Sequence, residues 1–398
     1  MKKGWETKRL GEVCEVIGGG TPAKNNAAFY TGAIPWATVR DMRQDEITET
    51  EFRITKEAVR SSATNIVPAG NVVIATRVGL GKICLLGQDT AINQDLRGII
   101  PRDEKSLTSR YLFWWFKSIA KEIVAEGKGA TVQGVKLPFV KSLPIPLPPL
   151  PEQRRIVGVL DEAFAAIATA KANAEKNLQN AREIFESHLN EVFAKKGEGW
   201  VERKLGDICA FRNGINYTKE SRGERIKIVG VRNFQQNFSV PLNDLDEVTI
   251  DGVLDDLDLL KPGDLLAVRS NGNVALIGRT LFADKIAGRI SHSGFTIRIR
   301  LSSENVLPKY LCFFMKSPRT RTRLADGGTG TNIKSLNQGM LSALKIPLPP
   351  SGVQKAVATQ LDALSAETRR LAAIYSRKLA ALEELKQALL HRAFSGEL

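Results

Sequence analysis

Between residues 152 and 196, apolar side chains recur at Ile156, Leu160, Ala163, Ile167, Ala170, Ala174, Leu178, Ala181, Phe185 and Val192. Steps of three and four predict one long helix with a single apolar stripe, the pattern of a coiled coil. The stretch has no proline, and Gly158 is its lone glycine. A second stretch near the end repeats the pattern at Val357, Leu361, Leu364, Leu371, Tyr375, Leu382 and Leu389. Each stripe is narrow enough to be covered by one partner helix. About 45 helical residues extend roughly 67 Å, more than the width of a 150-residue domain.

Both helices follow prolines. Residues 143–153 read LPIPLPPLPEQ and residues 344–354 read LKIPLPPSGVQ. Proline suits the approach to a helix and its first turn, not its interior. The two segments are expected to be stiff, extended, polyproline-like arms that aim the chain out of a globular domain and into a helix of fixed direction.

The repetition extends further. WETKRLGEVC at 5–14 matches WVERKLGDIC at 200–209, GNVVIA at 70–75 matches GDLLAV at 263–268, and YLFWWFKS at 111–118 matches YLCFFMKS at 310–317. The chain therefore divides into a globular domain over 1–150, a helix over 151–198, a second globular domain over 199–350 and a helix over 351–398. The first helix leaves one domain and arrives at the other. The second has only the first to lie against, so the pair is expected to run antiparallel about a pseudo-twofold axis. Residues 193–200, FAKKGEGW, join the first helix to the second domain. FSGEL at 394–398 followed by MKKGW at 1–5 would make a similar joint, as in a cut circle. Inside each domain, Val72–Ala75 and Leu265–Val268 look like buried strands after tight turns, and residues 111–125 and 310–324 look like helices. The expected fold class is α+β: two tandem similar domains separated by a spacer of two long helices.

Charge adds to this picture. The formal net charge is +14 over 398 residues. The two globular domains carry +6 and +7, whereas the helical segments carry −1 and +2. Basic charge spread over both domains suits a polyanion such as nucleic acid. The four cysteines are scattered without a CxxC pair and there are three histidines, which disfavours zinc and suits reduced thiols in a cytoplasmic protein. No apolar run follows the first two lysines as in a signal peptide, and none approaches the length of a membrane span.

The turns carry the candidate contacts. In the first domain these are Thr21, Lys24, Asn25, Arg40, Arg77, Lys82, Asn93, Gln94, Lys128, Thr131, Gln133 and Lys136. In the second they are Asn213, Asn216, Tyr217, Arg232, Asn233, Arg269, Asn271, Asn273, His292, Thr331, Asn332 and Lys334. Arg, Asn and Gln can grip guanine or adenine edges with two hydrogen bonds; Lys, Thr and glycine amides suit phosphates. The loops differ between the copies, GGGTP at 18–22 occurring only in the first, so two different sequences would be read. Motifs for catalysis are missing. Gly81-Lys82 lacks the rest of a phosphate-binding loop, no HExxH, GxSxG or Asn-Pro-Pro-type motif occurs, and Asp41, Asp95 and Asp264 read as turn residues. No catalytic residue and no metal ligand is expected. Two rivals remain open: a coiled-coil protein–protein scaffold with basic domains, and a free-standing nuclease or methyltransferase.

The opening Trp-x-x-x-x-Leu-Gly-Glu-Val, GGGTP, IPWATVRDM at 34–42, Asn93-Gln94 and above all IPLPPLPEQRRIVGVLD at 145–161 resemble the specificity subunits of Type I restriction-modification enzymes over essentially the whole chain. The resemblance implies two target recognition domains, each docking on half of a bipartite site in double-stranded DNA, with the helices as spacer. It implies two modification (methyltransferase) subunits that bind S-adenosylmethionine, and restriction subunits that use ATP and magnesium, with no cofactor in this chain. It also places partner contacts at Pro148, Pro149, Glu152, Gln153, Pro349, Pro350 and Gln354. The second arm departs from the pattern, since Pro-Ser-Gly-Val-Gln stands where Pro-Glu-Gln is usual.

Overall fold

The computed structural model describes residues 4–128, 134–195, 197–235, 237–326 and 335–398, the side chain of Lys128 excepted. The chain separates into two compact units: residues 1–175 with 377–398, and residues 176–376. The two long helices exist, Leu150–Ala194 and Ser351–Ser395, and each contributes one half to either unit.

In the first unit a five-stranded sheet runs in the order Cys14–Gly18, Leu96–Pro101, Val72–Ala75, Ile83–Leu86, Glu46–Ile47. One face packs on the helix Ser109–Ser118, whose residues Tyr111 to Phe116 are all buried. The other face meets a four-stranded sheet in the order Phe52–Ile54, Ile34–Ala37, Thr90–Ile92, Asn65–Val67. Val72 and Ile74 enter one core and Val73 and Ala75 the other. A strand covered on both faces needs an unbroken apolar run, which is why the sequence reads VVIA.

The second unit repeats this plan. Its four-stranded sheet runs Cys209–Asn213, Thr296–Leu301, Leu265–Val268, Thr280–Phe282, beside a three-stranded sheet Asp246–Thr249, Arg225–Val229, Ile290–His292. Leu265 and Ala267 face the helix Pro308–Lys316, while Leu266 and Val268 face the second core. The helices expected at 111–125 and 310–324 are each broken in two. Ser109–Ser118 is followed by Ala120–Lys128, and Pro308–Lys316 by Pro318–Asp326. In the second unit Pro318 has no N–H to continue the ladder. The first unit breaks at the same place without a proline, so packing rather than local sequence sets the bend.

The helix halves run antiparallel within each unit. In the first, Arg155 Nη2 donates to the carbonyl of Leu398 at 2.7 Å, and Lys386 lies over the Phe164 ring. Ile156 and Leu160 are buried beside Leu390 and Ala393. In the second, Leu189 and Leu361 share a cluster with Phe313. The joints match: the Phe394 ring packs at a tilt against Tyr111 with centroids 5.2 Å apart, and Phe193 packs edge-on against Tyr310 at 5.3 Å.

The proline arms are not free polyproline segments. Pro144–Leu147 pairs antiparallel with Glu6–Arg9, and Lys345–Leu348 with Val201–Lys204. Pro144 and Pro146, at alternate positions, put their missing donors on one edge of the ribbon, where none is needed. Tyr111 and Tyr310 then lock each ribbon by donating to the carbonyls of Pro146 at 2.9 Å and Pro347 at 2.7 Å.

The first turn of each long helix corrects the partner-contact expectation. Gln153 is fully buried. Its Nε2 donates to the carbonyls of Ser106 and Pro148 at 2.7 and 2.9 Å, and its Oε1 accepts from Thr108 N at 3.1 Å. Gln354, also buried, donates to Asn305 and Pro349 and accepts from Leu307 N at 3.0 Å. Both are internal joints, not surfaces. Pro148 and Pro349 are buried as well, while Pro149 and Pro350 are exposed. Glu152 is half-buried and binds Arg155 through both oxygens.

His292 is corrected too. It pairs with Val229 as Ile92 pairs with Ala37, so it occupies a core position and is 1% exposed. Thr296 Oγ1 donates its one proton to the Ser293 carbonyl, so His292 Nδ1 must donate to Thr296 Oγ1 at 2.9 Å. Burial, with Arg298, Arg212 and Arg300 nearby, pushes its pKa down to about 3. The ring is therefore neutral near pH 7.

Two outcomes follow. Gln153→Ala leaves the Thr108 amide and two carbonyls unpaired and should cost about 1–3 kcal/mol in urea unfolding, whereas Arg154→Ala on the exposed neighbour should stay within about 0.5 kcal/mol. For His292 the folded pKa lies below the unfolded one, near 6.5, so the unfolded chain takes the proton first. Stability is full above about pH 6.5 and falls as pH drops toward 3, by up to about 1.4 kcal/mol per pH unit from this group. His292→Gln should remove that component between pH 6.5 and 4.5 in parallel denaturant titrations.

Candidate nucleic-acid interface

The second sheet of each unit ends in loops that converge. In the first unit, Gly20 N hydrogen-bonds to the Ile92 carbonyl and Asn93 N to the Ala37 carbonyl. A Cβ at Gly19 would collide with the carbonyl oxygens of Ile92 and Asn93, and one at Gly20 with the backbone of Ala63 and Thr64. The glycines of GGGTP are there for close backbone approach. Trp36 Nε1 and Thr64 Oγ1 both donate to the Gly20 carbonyl, at 3.2 and 2.8 Å, and fix the loop.

Around this crossing lies a cavity of about 490 Å³. It gathers five expected residues: Thr21, Lys24, Arg40, Asn93 and Gln94. Its wall also includes Tyr30, Trp36 and Phe52, whose rings meet edge-on at centroid distances of 6.0 to 6.5 Å. These aromatics are absent from the sequence expectation, because aromatic residues beside strands ordinarily signal core. Gln94 is exposed and accepts the Thr21 hydroxyl. Arg40 keeps 75% of its side chain in solvent and sits 3.8 Å from Glu51. Asn25, Arg77, Lys82 and Lys136 are exposed, and none of the four lines the cavity. Asn93 is corrected: it is buried, and its amide bonds the backbone N and the carboxylate of Asp95, each at 3.1 Å. Thr131, Gln133 and the side chain of Lys128 lie outside the described residues.

In the second unit Gly214 makes the approach of Gly19, against Ser293 and His292. Ile215 N bonds the His292 carbonyl and Ser293 N the Val229 carbonyl, so residues 215, 229 and 293 stand where 20, 37 and 93 do. Asn216 and Tyr217 are exposed on this loop. Arg232 stands where Arg40 does, but binds Asp246 through two nitrogens at 2.9 Å and Asp244 at 3.0 Å. Asn233 is corrected. It is 1% exposed, accepts from Gly230 N at 2.9 Å and donates to the Asp244 carbonyl at 2.8 Å, the turn-closing role that Asp41 performs on Thr38 N at 2.7 Å. Asn271 and Asn273 accept from backbone amides two residues on, at 2.8 and 3.1 Å. Asn213 accepts from Gln338 at 3.2 Å, and Arg269 is half-buried. Thr331, Asn332 and Lys334 lie outside the described residues.

The carboxylates weighed as catalytic are structural. Asp41 also accepts from Glu51 N, and Asp264, 1% exposed, holds Arg300 at 2.7 Å through both oxygens. What remains on the loop tips is exposed amides, cations and rings. Such a surface can hydrogen-bond base edges, meet phosphates and cover apolar groups.

Comparison with known proteins agrees with this architecture. A family model described as the Type I restriction modification DNA specificity domain matches residues 2–179 and again 197–376. The chain is 30% identical over 252 residues to the Type I restriction enzyme MjaIX specificity subunit of Methanocaldococcus jannaschii, covering 58% of each chain. It is 34% identical over 196 residues to the EcoR124I/EcoR124II specificity subunit of Escherichia coli, covering 48% of each. It thus spans about half the length of these two relatives. Against the EcoKI specificity subunit of E. coli K12 the identity is 24%, over all of this chain and 90% of the relative. The HsdS crystal structure from Thermoanaerobacter tengcongensis matches with a TM-score of 0.61 at 19% identity, over 100% of this chain and 98% of that one. A chain from a Type I restriction-modification assembly matches at 0.80 and 20% identity, over 100% and 99%. With two copies of the domain spanning most of its length, this chain belongs to the Type I restriction modification DNA specificity family.

Proposed function

We propose that this chain is the sequence-specific DNA-binding subunit of a Type I restriction-modification complex, and that each globular domain reads one half of a bipartite site in double-stranded DNA. The observation that carries the reading is position-by-position equivalence of the two loop frames with different side chains at their tips. Thr21 corresponds to Asn216 and Gln94 to Gly294, while Arg40 and Arg232 share a place. A frame kept and tips changed is what two readers of different sequences require. The net charges of +6 and +7 on the domains support attraction to phosphates.

On this reading the chain works by recognition, in the cytoplasm, and the chemistry belongs to its partners. Two modification subunits would bring S-adenosylmethionine, and restriction subunits ATP and magnesium. The exposed Pro149 and Pro350 and the outer faces of the 45-residue helices are the surfaces left for those partners. The first helix would also set the gap between half-sites, since its residues lie between the domains in sequence, with the second helix lying against it.

Methylation-sensitive sequencing of the host genome tests the whole reading: a split adenine-methylated motif is expected, and its absence with an active modification partner refutes it. Lys24→Ala should lower the slope of log K against log salt by about 0.9 while leaving the motif unchanged. Gln94→Ala should relax one base position in one half-site, at a cost of roughly 1–3 kcal/mol of discrimination. Inserting one helical turn near Ala174 should lengthen the gap and alter neither half-site; an unchanged gap in the methylated motif rules out the spacer role.

A further inference from the structure

The hairpin tip between the two sheets differs sharply between the units. Residues 92–96 and 292–296 are equivalent, because Asn93 and Ser293 bond the same strand ends and Leu96 and Thr296 pair with Ala75 and Val268. Gln94 therefore corresponds to Gly294, and Asp95 to Phe295. In the first unit Asp95 folds back onto Asn93, and the exposed amide of Gln94 is the outermost group. In the second, Gly294 offers no side chain, and Asn216 Oδ1 occupies the space that a Cβ would need. Phe295 is then the outermost group, 61% exposed.

Nothing in the fold calls for that ring. Phe295 belongs to none of the hydrophobic clusters of its unit among the described residues. Its backbone is held firmly: its carbonyl accepts from Arg269 N at 2.8 Å, and its N donates to Ser293 Oγ at 3.3 Å. A rigid tip thus presents a large apolar group between the Asn216 and Arg269 loops. An unpartnered aromatic on a polar, basic surface forgoes the stabilisation that burying it would give.

We propose that Phe295 is a specificity-determining residue that covers the C5 methyl of a thymine in the half-site contacted by the second unit. The inference rests on the DNA-binding reading above. The thymine methyl is the one apolar group that base pairs present in the major groove, and a phenyl ring has no hydrogen bond to offer any other edge. The amides and cations of the flanking loops then serve neighbouring edges and phosphates. At the equivalent tip of the first unit, Gln94 offers hydrogen bonds instead, so the same hairpin tip reads by a different chemistry in each domain.

The test uses the full chain assembled with its modification subunits and a duplex carrying the split motif found by methylation sequencing. Each thymine of the half-site is replaced in turn by deoxyuridine, which lacks only the methyl. The wild type should lose about fourfold in affinity at one thymine, the value of one buried methyl. Phe295→Ala should bind the parent duplex about fourfold more weakly and be indifferent to that replacement, with its melting temperature unchanged because the ring is exposed. Phe295→Leu, which keeps an apolar contact, should retain the sensitivity. Equal losses in wild type and Phe295→Ala, a uniform loss on every duplex, or no thymine that matters would overturn the proposal. A wild-type complex that prefers no sequence at all would overturn instead the DNA reading on which it rests.

Discussion

Each long helix is anchored at its first turn by a buried amide. Gln153 and Gln354 stand in the first turn, where a helix has backbone donors without partners and where the preceding prolines have no N–H to offer. Each reaches across to the loop before the domain's aromatic helix and satisfies three backbone groups of it and of the arm. A polar group buried this deeply is costly unless all its bonds are made, and strongly directional once they are. The amide therefore fixes the angle at which a 45-residue helix leaves its sheet. The proline ribbon alone could not do so, because two paired strands with open edges are only marginally stable by themselves.

Beyond these joints the domains depend on close backbone approach. Gly19 and Gly214 let the second strand cross the tip of the hairpin so tightly that no side chain fits between them. The crossing holds the loop carrying Thr21 and Lys24, or Asn216 and Tyr217, against the tip carrying Gln94 or Phe295. Side chains that look available on these loops are spent on the crossing itself: Asn93 on Asp95, Asn233 on Gly230, Asp41 on Thr38. What is left to vary is the outermost atom of each tip, and there the units diverge most.

This division explains what the sequence could reveal. Two signals are plain because each is repeated and local: the stripe of both helices and the unbroken apolar run of doubly covered strands such as VVIA and LLAV. Three-residue and four-residue steps sustained over a whole long segment have no competing interpretation. The ribbon pairing of the proline arms is not legible, since Pro144–Leu147 finds its partner at Glu6–Arg9, far away in sequence, and IPLPP alone satisfies an extended arm equally well. The inward or outward sense of loop polars is also hidden. Asn93 and Gln94 are neighbours of similar chemistry, yet one is buried and the other exposed, because Asn93 is drawn into the turn by its bonds to Asp95 while Gln94 stands at the tip. His292 misleads too: flanked by serines it looks like a loop, but its register puts it where the other unit has Ile92. Tyr30, Trp36 and Phe52 give no warning of their place, because aromatics beside strands rarely leave the core.

The paired arginines show how recognition and charge can be separated. Arg40 and Arg232 hold equivalent positions, but Arg232 is bound by Asp244 and Asp246, whereas Arg40, among the described residues, pairs with Glu51 at 3.8 Å. Asp244 and Asp246 keep more than half of their side chains in solvent, and Glu51 keeps 41%. Exposed ion pairs contribute little to stability and open readily, so the pair on Arg232 orients the guanidinium more than it restrains it. On the DNA-binding reading, a phosphate or base that takes over Arg232 must displace two carboxylates, while at Arg40 it meets little competition. The first domain then engages DNA with more electrostatic freedom. The second gives up some of that attraction and relies correspondingly more on shape-specific contacts such as the exposed Phe295 ring. Two domains built on one frame would in this way divide attraction and discrimination unequally, through side chains at matched positions and without any change in fold.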